Sequence, residues 1–250
     1  MELELKKECL DTYEPGEPQT LTQEETTETI VPDYCPDIAR IISAEGAVYL
    51  HGGAEQEGLS GTVRVTVLYT PENETGVRAL EFALPFTAQG EGLSDCTHVA
   101  AETEIELLES RMLNPRKIFT RCKLVTHLTG YRKVCLSLSS DVETLPEQRV
   151  EKRCCGQAAT LLRQIAEKDL TFSETMSLSL GREGAAELLH CRTSGTVTET
   201  KVIGNKLIFK GVFLVSVLYH TTGGQLASAS SELPFSQIME IDSASESVQV

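Results

Sequence analysis

The sequence predicts a mainly β protein: two tandem copies of an antiparallel β-meander, sandwich-like module, with one or two short helices. Three observations carry this. Val63, Val65, Val67 and Tyr69 alternate with Arg64 and Thr66, the period of a half-buried strand. The same pattern returns later, since Gly61-Thr62-Val63-Arg64-Val65-Thr66-Val67-Leu68-Tyr69 and Gly211-Val212-Phe213-Leu214-Val215-Ser216-Val217-Leu218-Tyr219 both run from glycine to Val-Leu-Tyr. A polar turn with glycine follows each, at residues 71–76 and 221–224.

The repeat extends on both sides. Gly46-Ala47-Val48 matches Gly195-Thr196-Val197, and Leu84-Pro85-Phe86 matches Leu233-Pro234-Phe235, in the same order at an offset of 149 or 150. Matches in one order at one offset mark a duplicated unit. The modules are placed at residues 1–150 and 151–250.

The elements follow in chain order. Residues 1–30 hold nine acids against Lys6 and Lys7 and read as an acidic arm, a solvated lead-in strand and loop. Residues 36–42 read as a short helix, with Pro36 in the first turn and Asp37 facing the dipole. The strand at 63–69 pairs across its turn with one at 77–83, and the second copy repeats this with 225–232. Proline in Leu-Pro-Phe cannot donate to a ladder, so it ends its strand or lies at an edge. Thr103, Ile105 and Leu107 alternate with Glu102, Glu104 and Glu106, a further strand. Asn114-Pro115-Arg116 is a turn, followed by strands at 118–128 and 134–138 with His127 and Tyr131 near the turn between them. Ala158, Leu161, Leu162 and Ile165 have helical spacing at the junction, in a segment that also suits a strand. Gly204-Asn205-Lys206 is a turn after which Leu207-Ile208-Phe209 adds a short strand. Only fifteen residues follow Phe235, so the second copy lacks its closing hairpin or the sequence is cut short. Truncation is favoured, because a missing hairpin exposes sheet edges.

Composition excludes several classes. The 250 residues carry a net charge of −15, which repels phosphate backbones and anionic lipid and argues against nucleic-acid binding. No apolar run approaches the ~20 residues of a membrane helix, so no membrane insertion is expected. No secretory leader is visible, which points to the cytoplasm and to eight reduced, mostly structural cysteines. Late oxidative cross-linking in an assembled layer is the alternative.

No catalytic motif is present: no Gly-x-Ser-x-Gly, Walker loop, Gly-x-Gly-x-x-Gly or His-Glu-x-x-His. His51, His98, His127, His190 and His220 stand singly, without ligand spacing, so no metal and no cofactor is expected. Asp33 and Asp37 are carboxylates beside Pro32 and Pro36, and turn chemistry explains that pattern better than acid–base catalysis or Ca²⁺. The sharper reading of this loop is a protein contact. For Glu24, Glu25 and Glu28 in the arm it is a docking surface for a basic partner.

The most distinctive stretch is Val31-Pro32-Asp33-Tyr34-Cys35-Pro36-Asp37-Ile38, preceded by Glu28-Thr29-Ile30. With the Gly…Val-Leu-Tyr strand and Leu-Pro-Phe, it resembles the SPOCS domain family of endospore-forming Firmicutes. The resemblance is better over about residues 20–140 than over about 170–245, where the proline motif becomes Leu180-Gly181-Arg182-Glu183-Gly184-Ala185-Ala186-Glu187. It implies spore-coat assembly on the mother-cell side of the forespore surface, with protein partners. In that family a C-terminal LysM domain is associated with docking on the coat-basement ATPase, and no LysM-like segment is present here.

Two functions from different classes result. The first is a non-enzymatic structural or interaction protein of the endospore coat or envelope. The second is a carbohydrate- or peptidoglycan-binding β module. Sugars stack on aromatic faces, and a chain with no Trp and 5% aromatics is poorly equipped for that. A hydrolase ranks third.

Overall fold

The computed structural model describes residues 4–51, 58–143, 151, 153, 160–167, 171, 173, 175 and 183–241. Its ten strands are β1 (Glu4–Pro15), β2 (Gln19–Ile30), β3 (Ile38–Leu50), β4 (Leu59–Pro71), β5 (Arg78–Ala88), β6 (His98–Asn114), β7 (Lys117–Glu143), β8 (Ala185–Ile203), β9 (Lys206–Thr221) and β10 (Leu226–Glu240). Every pairing is antiparallel.

The duplicated segments form two meanders of the same order, β3-β4-β5 and β8-β9-β10. Their outer hairpins share one register. Gly61 faces Phe86 and Thr62 faces Pro85, while Gly211 faces Phe235 and Val212 faces Pro234. This register accounts for the spaced glycine and phenylalanine. A Cβ on Gly61 would lie 2.5 Å from Phe86 Cζ, and one on Gly211 would lie 2.5 Å from Phe235 Cζ. Each aromatic ring therefore covers the glycine on the neighbouring strand. Both prolines lie within edge strands that continue through them, so of the two expectations for Leu-Pro-Phe the edge position is the one observed.

In the first copy a second sheet covers the meander. Its axis is β7, 27 residues long. One edge of β7 carries β6, from Asn114↔Lys117 to His98↔Tyr131. The other carries β2 against Lys117–Leu128 and then β1 against Tyr131–Glu143, with Gly16 N–H bonded to Gly130 O between them. Ile118, Thr120, Cys122, Leu124, Thr126 and Leu128 alternate inward from β7 and are fully buried or nearly so. Ile118, Cys122 and Leu124 meet Val63, Val65, Val67, Tyr69, Leu80, Leu84 and Phe86 from the meander. Each such aliphatic side chain contributes about 1.5–3 kcal/mol relative to exposure. Gly46 brings the layers close at their margin, since a Cβ there would meet Ile105 Cδ1 at 2.7 Å.

Several sequence expectations change. The described residues contain no helix. Residues 38–42 begin β3, where bulges at Ile38/Arg40 and Ile41/Ser43 break the two-residue alternation and leave apolar residues at helix-like intervals. Leu161, Leu162 and Ile165 have no regular structure, and Ala158 lies outside the described residues. The two strands expected at 118–128 and 134–138 are one strand. Gly130 serves not a turn but a close approach, since a Cβ there would meet Cys96 Sγ. The acidic arm, expected as a lead-in strand and loop, is the two strands β1 and β2, both hydrogen-bonded along β7. A disulfide joins Cys9 of β1 to Cys135 of β7, against the expectation of reduced thiols for that pair.

The β8–β10 sheet meets the first copy at one corner. Arg78 pairs with Glu187 at 3.2 Å, His190 Nε2 lies 3.2 Å from Glu45 Oε2, and His220 Nε2 lies 2.8 Å from Val77 O.

Candidate protein-contact site

The loop between β2 and β3 holds the Val-Pro-Asp-x-x-Pro-Asp-Ile motif. Its two ends are core anchors, since Val31 and Ile38 are both 0% exposed. Val31 N–H donates to Arg116 O and Ile38 N–H to Pro115 O, each at 2.9 Å, which ties the loop to the β6–β7 turn. Cys35 N–H donates back to Pro32 O at 2.9 Å and closes a tight turn.

Arg116 organises the loop from that opposite turn. One guanidinium nitrogen donates to Cys35 O at 2.7 Å and to Asp37 Oδ1 at 3.1 Å. The other donates to Val31 O at 2.8 Å and to Asp33 Oδ1 at 3.1 Å. The planar fork of arginine suits this task, because one cation reaches two carbonyls and two carboxylates at once. Tyr69 O–H donates to Pro36 O at 3.3 Å from below, and burial pushes its phenol up to about 12.

Asp33, Asp37, Pro32 and Pro36 are therefore gathered around one arginine that sequence reasoning did not single out. Its signal was faint: a lone basic residue in an Asn-Pro-Arg turn, some eighty positions from the acids it holds. Tyr34, inside the motif, was also missed as a contact residue. It projects outward and is 88% exposed. Ile30, at the end of β2, is 71% exposed. Met112 and Leu113, beside the β6–β7 turn, are also exposed. Together these give one end of the sandwich an apolar rim.

The three glutamates of the arm are dispersed along β2. Glu28 pairs with Lys117, next to Arg116 in sequence. Glu24 pairs with Arg121 at 2.6 Å and holds that guanidinium above its usual range. Glu25 turns to the other face, half-buried, where its charge adds to burial in pushing the Cys122 thiol up to about 11. Asp11 with Lys133 and Glu106 with Lys123 extend the pattern. Acidic strands thus flank a basic central one, which favours this pairing order over others.

Each histidine has a separate environment. His127 meets Thr20, His51 meets Thr62, and the His98 ring packs on Tyr13. Among the described residues no three of His, Cys, Asp and Glu converge in a way that holds a metal ion. No helix of the described residues is long and apolar enough to cross a membrane.

Fold and site together define a class: tandem β-sheet modules presenting a rigid, aromatic-tipped loop. Within that class, residues 185–250 match the family model described as SipL, SPOCS domain, the family that the motifs resemble. The match falls on the second copy, where the motif resemblance is weaker, and not on residues 20–140. No curated protein and no solved structure matches the chain.

Proposed function

We propose that this chain is a non-enzymatic assembly module of the endospore coat or envelope, acting on the mother-cell side at the forespore surface through protein partners. The observation that carries the reading is the loop at residues 30–37. Tyr34 and Ile30 stand exposed on a backbone that Arg116 fixes from beneath. An exposed aromatic on a preorganised loop binds at low entropic cost, the usual form of a protein hot spot. The family supplies the sporulation context. The two modules at 1–150 and 151–250 then act as linked parts of one scaffold.

Capture from sporulating-cell extract tests this. Wild type is compared with Tyr34→Ser and Ile30→Ser, which alter exposed side chains and leave the core intact. Deleting residues 1–28 is unsuitable, because it strips β1 and most of β2 from the sheet. Identified coat proteins retained by wild type and lost with Tyr34→Ser support the proposal. Equal retention by both moves the contact elsewhere. Retention of peptidoglycan in place of protein replaces the reading with the glycan-binding one.

A further inference from the structure

β1 lies along β7 for twelve residues, yet little of it is buried. Leu5, Lys6, Lys7, Glu8 and Cys9 are all exposed, and of its described side chains only those of Leu10, Thr12 and Tyr13 turn partly or wholly from water. Past Tyr131, where β6 begins, the ladder described for β7 continues with β1. A two-stranded ribbon is marginally stable in water by itself. The Cys9–Cys135 disulfide is the covalent tie across this one. Cys9 faces Ser137 and Cys135 faces Asp11, and both cysteines are exposed. Exposed disulfides are the ones most open to attack by a thiol.

Between Cys9 and the sandwich, the outer edge of β1 holds the chain that runs from β7 to β8. Tyr13 N–H donates to Leu162 O at 2.8 Å, and Thr12 Oγ1 donates to the same carbonyl at 2.9 Å. Thr12 is 6% exposed. Lys133 first, and then Arg163 of that segment, hold the Asp11 carboxyl below the ordinary carboxylate value. Residues 160–167 thus lean on the stretch of β1 that the disulfide keeps in place.

We propose that Cys9–Cys135 is a reversible redox site, the substrate of a dithiol reductant, and that its reduction releases residues 160–167 from β1. A thiolate of the dithiol attacks one sulfur, the S–S bond breaks, and the other cysteine leaves as a thiolate and takes up a proton. The reductant's second thiol then attacks the mixed disulfide, frees the first cysteine and closes the reductant's own disulfide. Two electrons and two protons pass from the dithiol to the protein. Fraying that starts at Glu4 is then no longer arrested at Cys9 and runs on to Thr12 and Tyr13. Leu162 O loses both donors. Exchange with an oxidised dithiol runs the same steps backwards and restores them. Neither the loop at residues 30–37 nor its partner enters, so the proposal stands or falls apart from the proposed function.

The test is dithiothreitol treatment of the full chain, read by alkylation mapping of Cys9 and Cys135, by hydrogen exchange with mass spectrometry, and by circular dichroism to confirm folding. Before treatment the two cysteines are expected to resist alkylation, and after it to react while the chain stays folded. Exchange in residues 4–15 and in 160–167 should rise together, roughly tenfold or more, while β4 is unchanged. The double variant Cys9→Ser with Cys135→Ser should exchange fast in both segments without reductant and be indifferent to it. Cysteines already free before treatment overturn the proposal, as does a disulfide that yields only when the chain unfolds. So does a reduced chain, or a double variant, in which residues 160–167 stay as protected as in the oxidised wild type.

Discussion

Arg116 offers the most direct test of how the motif loop is held. In Arg116→Ala the guanidinium leaves and four contacts go with it, two to carbonyls and two to carboxylates. Hydrogen bonds to a charged group contribute about 1.5–3 kcal/mol each when buried. The Arg116 side chain is one third exposed and that of Asp33 fully so, so solvent screens the Asp33 contact and it contributes little. The carbonyls of Val31 and Cys35 regain water in part. A loss of about 2–3 kcal/mol remains, concentrated on the loop. The assay is amide hydrogen exchange at Val31, Cys35 and Ile38, which donate to Arg116 O, Pro32 O and Pro115 O. At about 1.4 kcal/mol per tenfold, exchange there should accelerate roughly 30- to 150-fold, while the β4 amides keep their protection. Arg116→Lys should recover less than half, since a point charge cannot span both carbonyls. Asp37→Asn should cost more than Asp33→Asn. Acceleration below about threefold in Arg116→Ala, or equal effects of the two aspartates, refutes the clamp.

Gly61→Ala should destabilise by about 2 kcal/mol or more, because its Cβ meets the Phe86 ring and also Tyr49 O at 2.8 Å, which cannot step aside. Thermal melts of Gly61→Ala beside Gly61→Ala with Phe86→Leu should show only partial recovery. Cys9→Ser should speed exchange in β1 and spare β4 and the core half of β7, measurable by mass spectrometry with and without reductant. On the alkaline side, Cys122 at about 11 and Tyr69 at about 12 both sit above their ordinary values of 9.0 and 10.0. The unfolded chain then gives up these protons first, so stability is intact below pH 9 and falls as pH rises from there toward 12. Urea midpoints between pH 8 and 11 should decline, and Cys122→Ala should remove the earlier part of the decline.

The duplicated meander was legible because its strands keep a two-residue period and a glycine faces each Leu-Pro-Phe. Expectations failed where that period is interrupted or a partner is remote. The bulges of β3 turned Ile38 and Ile41 into a helix-like pair, which no single-strand template recovers. Gly130 looked like a turn because glycine marks both turns and close approaches, and only the position of Cys96 separates the two. Asp33 and Asp37 were visible as an acidic pair. Arg116 was not, because a lone arginine carries no spacing rule relative to acids far upstream. Tyr34 lay in plain view inside the motif, yet exposure is decided by the fold and not by the residue type.

The disulfide from Cys9 to Cys135 has a mechanical consequence. β1 runs antiparallel to β7, so Glu4 and Glu143 leave the ribbon at the same end. Tension between the start of the chain and anything beyond β7 therefore peels the two strands apart from that end. The peel stops at the covalent link. Everything between the two cysteines, 125 residues that include all of β2 to β6, lies in a closed loop that the load bypasses. A chain pulled within a growing layer would yield a few residues of ribbon and then hold, with its loop at residues 30–37 still in shape.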